Sequence, residues 1–103
     1  RKEKIMLNSK QRAYLRSLAN KIDPIFQIGK GGASPELIQA IDEALENREL
    51  VKCNVLNNCM EDIKYIASAI SERTKSEVVQ IIGKKIVIYR QSKEKPTIEL
   101  PKK

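Results

Sequence analysis

The sequence predicts one α/β domain in the order α-β-α-β-α-β-β, with three helices and a four-stranded mixed sheet. Three observations lead to this fold class. The chain has 103 residues, which is room for a single domain. Its apolar residues change along the chain between the three- and four-residue spacing of helices and the two-residue spacing of strands. Each β-α-β segment is expected to join two neighbouring parallel strands, and a hairpin at Gly83, which separates the last two apolar runs, adds an antiparallel strand.

The first helix is predicted to begin after Asn8, because Asn8 and Gln11 can form a capping box, and to end at Asp23-Pro24. Its apolar stripe comprises Tyr14, Leu15, Leu18, Ala19 and Ile22. The basic side chains outside this stripe are Lys10, Arg12, Arg16 and Lys21. We therefore expect a basic, solvent-facing helix with Tyr14 turned toward the core.

A glycine-rich loop follows the first strand, which is predicted over residues 24–28 (PIFQI). The loop reads Gly29-Lys30-Gly31-Gly32, and a helix follows it, with Ser34 as N-cap and Pro35 at the first helical position. Amides at a helix N-terminus, missing β-carbons and a lysine together can bind an anion. An ordinary strand-to-helix turn is the structural alternative.

The second half of the chain predicts strand, helix, strand and strand. Residues 50–56 (LVKCNVL) alternate as a strand, and Asn58 with Glu61 can cap a third helix that ends near Lys75. The last strands are expected at 78–82 and 86–89, where Gly83 takes a positive φ. Lys84 and Lys85 are then at the hairpin tip. Residues 91–103 contain two prolines and no periodic pattern, so they predict a flexible basic tail.

The charge surplus lies at the two ends of the chain. The net charge is +7, with seven basic side chains against one acid in residues 1–21 and seven against two in residues 78–103. Such a distribution favours a polyanionic partner, and nucleic acid, an anionic membrane or simple solubility can each account for it. No apolar run is long enough for a membrane span or a signal peptide, so we expect a cytosolic protein without a membrane partner.

Enzyme, metal and cofactor functions find little support in the residue types. The chain has no histidine, which excludes histidine-dependent catalysis and histidine metal ligation. Cys53 and Cys59 do not have a zinc spacing and are expected to be buried, reduced thiols. The acid pairs Asp42-Glu43 and Glu61-Asp62 are predicted on solvated helix surfaces. We therefore predict no enzyme activity, no catalytic residue, no metal and no cofactor.

The glycine loop does not match either common nucleotide-binding motif. In the phosphate-binding loop of nucleoside triphosphatases Ser or Thr follows the lysine, whereas Gly31 follows Lys30 here. The dinucleotide motif requires a final glycine where this chain has Ser34. What remains is a Gly-x-x-Gly loop, a type that clamps a nucleic-acid backbone in KH domains, where it joins two helices.

Four stretches together resemble the CRM domain (chloroplast RNA splicing and ribosome maturation), in its free-standing bacterial YhbY-like form. They are Leu7–Ala19 (LNSKQRAYLRSLA), Pro24–Gly32 (PIFQIGKGG), Glu49–Lys52 (ELVK) and Val79–Arg90 (VQIIGKKIVIYR). The resemblance covers residues 7–90. It implies a fold like the C-terminal domain of a bacterial translation initiation factor, with RNA bound in precursors of the large ribosomal subunit.

The residues and the resemblance both favour structured RNA, read through its backbone and shape. The predicted RNA-binding residues are Gly29, Lys30, Gly31 and Gly32 of the loop, Lys10, Arg12, Arg16 and Lys21 of the first helix, and Lys84 and Lys85 of the hairpin. We expect a monomer whose partners are ribosomal RNA and large-subunit precursor particles. The alternative is a protein-binding adaptor that docks a ribosomal or assembly protein through the sheet edge or the first helix.

Overall fold

A computed structural model describes residues 7–101 and confirms the predicted order of elements. The helices are α1 (Ser9–Ala19), α2 (Pro35–Arg48) and α3 (Ile63–Thr74). The strands are β1 (Phe26–Ile28), β2 (Leu50–Val55), β3 (Glu77–Ile82) and β4 (Lys85–Tyr89). The radius of gyration of 13.1 Å is that of one globular unit of this length.

The strands form a mixed sheet in the order β1-β2-β4-β3. Strand β1 is parallel to β2, whereas β4 is antiparallel to both β2 and β3. The expectation that each β-α-β segment joins two neighbouring parallel strands holds for β1 and β2 only. It is wrong for β2 and β3, because β4 folds back from the hairpin and inserts between them.

The sheet has a hydrophobic core on each face. The larger core lies against α2 and α3, and the smaller core lies against α1. Strand β4 contributes side chains to both cores. Ile86 and Ile88 belong to the larger core, and Val87 and Tyr89 belong to the smaller one. This double burial explains why β4 is apolar at almost every position.

The first two helices are capped as their sequences predict. Asn8 accepts a hydrogen bond from the Gln11 amide at 2.8 Å, and the Gln11 side chain accepts from the Asn8 amide at 3.2 Å. Ser34 accepts from the Leu37 amide at 3.2 Å, with Pro35 at the first helical position. The end of α1 has an additional partner in Lys52, whose ammonium donates to the carbonyls of Ala19 and Ile22.

The predicted start of α3 is wrong. The N-cap is Asp62, whose carboxylate accepts from the Lys64 amide at 3.3 Å, and α3 begins at Ile63. Asn58 and Glu61 stay in the preceding segment, where their side chains contact the glycine loop instead of a helix terminus. A contact between distant parts of the chain therefore replaces the local capping box.

The hairpin has the two-residue turn that the glycine predicts, but β4 begins one residue earlier than predicted, at Lys85. Gly83 and Lys84 form a two-residue turn, and Gly83 adopts a φ of 59°. Lys85 is not at the tip but is the first residue of β4, half-buried and aligned with Asn54 and Ile82.

The prediction of a flexible tail over residues 91–103 does not hold for residues 91–101, and residues 102–103 lie outside the described residues. Ser92 is buried, and Ile98 and Leu100 pack against the smaller core. The buried carboxylate of Glu49 accepts hydrogen bonds from the amides of Ser92, Thr97 and Ile98. The Glu46 carboxylate accepts from the Ser92 hydroxyl and the Lys93 amide, so two carboxylates hold a segment that forms no helix or strand.

Candidate nucleic-acid interface

The glycine loop forms a tight turn between β1 and α2. The Gly32 amide donates to the Gly29 carbonyl at 3.0 Å, and Gly32 adopts a φ of 60°, a conformation that favours glycine. A β-carbon added at Gly31 meets no atom within 4 Å, so the tip of the loop is open. The amides of Lys30 and Gly31 donate no hydrogen bond to any residue in 7–101. The loop thus presents unpaired amides to solvent beside the N-terminus of α2.

The loop and the hairpin turn lie at the same end of the sheet. The Leu56 amide donates to the Ile28 carbonyl at 2.8 Å, which joins the end of β2 to the end of β1. The Val55 amide donates to the Lys84 carbonyl at 2.7 Å, which joins β2 to the turn. Lys30 and Lys84 are both exposed. The structure therefore brings together two of the predicted RNA-binding lysines that are 54 positions apart in sequence.

The segment between β2 and α3 packs against the loop glycines. The position that a Gly29 β-carbon would take is 3.2 Å from the Asn58 Oδ1 atom. The corresponding position at Gly32 is occupied by the Glu61 carboxylate. A negative charge therefore lies beside the candidate anion site. Sequence reasoning placed Glu61 in a helix cap and missed this contact, since no local pattern links residues 61 and 32.

The basic residues of α1 occupy a different face of the molecule. Helix α1 packs on the opposite side of the sheet from α2 and α3, against β2, β3 and β4. Lys10 and Lys21 are exposed, as predicted, whereas Arg12 and Arg16 are half-buried. The Arg12 guanidinium donates to the Val78 carbonyl of β3, so the prediction that it is solvent-facing is wrong. Its long side chain reaches the sheet beside the smaller core.

Several other polar or basic groups have partners inside the fold. The Arg90 guanidinium donates to the Asp42 carboxylate and to the Thr74 carbonyl, the latter at 2.8 Å. These contacts hold the end of β4 against α2 and α3 and reduce the availability of Arg90 to a ligand. Burial, assisted by the nearby Glu49 carboxylate, raises the pKa of Tyr89 to about 12, so this phenol stays neutral.

The tyrosine prediction for α1 is also wrong. Tyr14 is 38% exposed and lies one helical turn after Lys10, on the same face of α1. Phe26, in contrast, packs against the larger core. Tyr65 of α3 is 61% exposed. The protein surface thus carries two exposed tyrosines, one on α1 and one on α3.

The structure shows neither a metal site nor a membrane span in residues 7–101. No group of three or more cysteine, aspartate or glutamate side chains in this range converges on a point that could hold a metal ion. No helix in the same range combines the length and apolar character needed to cross a bilayer. Cys53 is buried and Cys59 is half-buried against the larger core, and both are free thiols.

The fold and the loop together define a class: a small three-layer α/β domain with an open Gly-x-x-Gly loop before its second helix. The model of the CRS1 / YhbY (CRM) domain family matches residues 7–90. The chain belongs to this family, which confirms the resemblance seen in its sequence. The family is an RNA-binding domain and not a class of enzymes, while the lack of any catalytic activity stays a prediction.

Named relatives are similar to nearly the whole chain. A Bacillus subtilis protein named as a probable RNA-binding protein, YqeI, is 51% identical over 96 residues, covering 93% of this chain and all of the relative. An RNA-binding protein of Haemophilus influenzae is 36% identical and covers 94% of this chain and 97% of its own length. The solution structure of a Staphylococcus aureus protein, described as a candidate RNA binder, is 60% identical with a TM-score of 0.78 and covers 93% of this chain and all of its own.

Proposed function

We propose that this chain binds structured ribosomal RNA through its glycine loop and its basic surfaces, and that it acts in assembly of the large ribosomal subunit. It acts as a monomer in the cytoplasm. Membership of the CRM family and the RNA-binding names of the relatives support RNA as the ligand. The ribosomal step rests on the resemblance of the four sequence stretches to free-standing bacterial members.

The observation that carries the proposal is the open tip of the glycine loop. The amides of Lys30 and Gly31, which precede the N-terminus of α2, donate no hydrogen bond within residues 7–101. A phosphate oxygen accepts from such amides, and the positive end of the helix dipole stabilises its charge. Because no atom of the described residues lies within 4 Å of the position that a Gly31 β-carbon would take, a nucleic-acid backbone can approach the main chain directly.

The surrounding cations supply attraction without sequence selectivity. Lys30 and Lys84 lie at the loop end of the sheet, while Lys10 lies on α1 and Lys21 just after the end of α1. Phosphate contacts of this kind position an RNA and contribute much of its affinity. Two separated basic faces suit a folded RNA better than a short linear one, since a folded RNA can contact both.

The salt dependence of binding provides a quantitative test. If four of these side chains neutralise phosphates, the logarithm of the association constant falls with the logarithm of salt concentration with a slope of about −3. A slope close to zero would contradict an electrostatic interface.

The location of the interface is tested by co-sedimentation with ribosomal particles at graded salt. The double variant Lys30→Gln/Lys84→Gln should leave large-subunit precursors at lower salt than the parent. The matched control Lys93→Gln/Lys95→Gln removes the same charge from exposed tail positions and should behave as the parent. Arg12 is unsuitable for this test because its guanidinium also holds β3. Equal loss in both double variants would show that only net charge matters, and association with mature subunits alone would contradict an assembly role.

A further inference from the structure

Exposed aliphatic side chains surround the lysines at the loop end of the sheet. Met60 is 89% exposed, Ile82 is 57% exposed and Leu56 is 37% exposed. We call these three residues together with Lys30 and Lys84 the loop-end patch. Each exposed aliphatic group keeps apolar surface in contact with water, which costs free energy that folding alone does not recover.

The residues of the loop-end patch come from separate segments that meet at this end of the sheet. Leu56 follows β2, and its Cδ1 atom is 3.5 Å from the position of a Gly29 β-carbon. Met60 lies between Asn58 and Glu61, which both contact the loop glycines. Ile82 ends β3, opposite the first residue of β4 and beside the Gly83-Lys84 turn. The two lysines and the three exposed aliphatic side chains therefore lie at the same end of the sheet.

We propose that the loop-end patch binds unpaired nucleotides, with the lysines and loop amides on the phosphates and the aliphatic side chains on the faces of the bases. The inference rests on the proposed RNA-binding function, and it specifies that the RNA segment bound at this site is unpaired. The presence of exposed lysines and exposed aliphatic side chains in one patch indicates the chemistry of its ligand. A ligand that complements it needs an anionic backbone and apolar flat faces a short distance from that backbone.

Paired RNA does not offer such faces. In an A-form helix the base faces are stacked inside, and only phosphates, hydroxyls and base edges reach the surface. In loops, bulges and ends the bases are splayed out and can pack on protein side chains. The aliphatic part of the patch has a partner only in the second case, so it selects unpaired segments within a folded RNA.

The test compares two fluorescently labelled RNAs by anisotropy at constant salt. One is an unstructured oligouridylate of about 12 nucleotides, within the range that single-strand-binding domains cover, and the other is an RNA duplex of the same length. The variant Met60→Ser/Ile82→Ser should bind the oligouridylate about five-fold more weakly, because apolar contact with the bases is lost. Its affinity for the duplex and its salt slope should match those of the parent, because no charge changes.

Controls separate this proposal from the one on which it rests. Ile25 is an aliphatic residue that is 42% exposed but lies before β1, at the other end of the strand from the loop. The control Ile25→Ser should therefore bind the oligouridylate as the parent does. Met60 lies outside the sheet, so the single variant Met60→Ser tests the apolar contact if the double variant is less stable than the parent. This inference is overturned if both Met60 variants bind the oligouridylate with unchanged affinity while Lys30→Gln weakens the binding of both RNAs. The aliphatic groups would then be assigned to a protein contact. If Lys30→Gln also changes neither affinity, the proposed function itself fails.

Discussion

Replacing Glu49 with glutamine should release the docked C-terminal segment and destabilise the domain. The Glu49 carboxylate is fully buried. Its Oε1 atom accepts from the Thr97 amide at 2.9 Å, the Thr97 hydroxyl at 3.0 Å and the Ile98 amide at 2.7 Å. Its Oε2 atom accepts from the Ser92 amide at 2.7 Å. Glutamine keeps one acceptor oxygen, but its NH₂ group then faces a second donor.

The expected cost follows from these contacts. One buried N–H group is left without an acceptor, which costs about 1–3 kcal/mol, and the remaining hydrogen bonds lose their charge assistance. We expect the free energy of unfolding of Glu49→Gln to fall by about 2–3 kcal/mol. For a domain of this size, that loss lowers the melting temperature by roughly 10–15 °C.

Urea unfolding followed by far-ultraviolet circular dichroism at pH 7 measures the change, and trypsin cleavage after Lys93 reports undocking. The control is Glu43→Gln, an exposed carboxylate on α2 with no partner in residues 7–101. The prediction is contradicted if the free energy of unfolding of Glu49→Gln is within about 0.5 kcal/mol of that of the parent, as for an ordinary surface substitution, and trypsin still does not cleave after Lys93.

The same site predicts a dependence of stability on pH. Burial raises the pKa of Glu49, but the hydrogen bonds from Ser92, Ile98 and Thr97 outweigh it, and the net pKa lies below the ordinary value of 4.5. The Ser92 hydroxyl and the Lys93 amide likewise lower the pKa of Glu46. A lowered carboxyl pKa stabilises the fold above pH 4.5 and loses that contribution as the pH falls below it. The urea midpoint should therefore drop below this pH in the parent and vary less in Glu49→Gln.

Three further predictions concern the loop and the thiols. Gly32→Ala should lower the free energy of unfolding by about 1 kcal/mol, because Gly32 has a positive φ. Gly31→Leu should leave urea unfolding unchanged but weaken RNA binding. A stable Gly32→Ala variant together with a destabilised Gly31→Leu variant would contradict the loop geometry. Glu61→Gln should strengthen RNA binding about five-fold at low salt in anisotropy, by removing a charge beside the phosphate site, and a weaker complex would show that the carboxylate contacts RNA favourably. Burial raises the pKa of Cys53 to about 12, so iodoacetamide at pH 8 should alkylate only Cys59 in the folded protein, as mass spectrometry of peptides can check.

Local signals predicted the elements of this fold well. The capping box of Asn8 and the Ser34-Pro35 start of α2 involve residues within one turn of each other, so their geometry follows from sequence spacing. The glycine loop was predictable for the same reason, because positive φ and an open backbone depend on the residue types themselves. The hypothesis of an anion site depends on the tertiary structure, in which the amides of Lys30 and Gly31 donate no hydrogen bond to any residue in 7–101.

Predictions that depended on distant neighbours were less successful. The α3 cap was misplaced because Asn58 and Glu61 contact Gly29 and Gly32, which lie far away in sequence. Tyr14 fits the apolar spacing of α1, yet the smaller core is filled by Leu15 and Ala19 and leaves it outside. A pattern of apolar spacing marks a face of the helix but does not say how wide a stripe the neighbouring sheet will cover.

The sequence by itself determined the order of elements, the mixed character of the sheet and the presence of an open basic loop, because these depend on periodicity and turn chemistry within short segments. Only the tertiary structure decided which charges share a surface. It joined Lys30 to Lys84 at one end of the sheet, placed α1 on the opposite face and turned Arg12 inward. It also docked residues 91–101 on the Glu49 carboxylate, since a buried charge requires hydrogen-bond donors from wherever the chain can supply them.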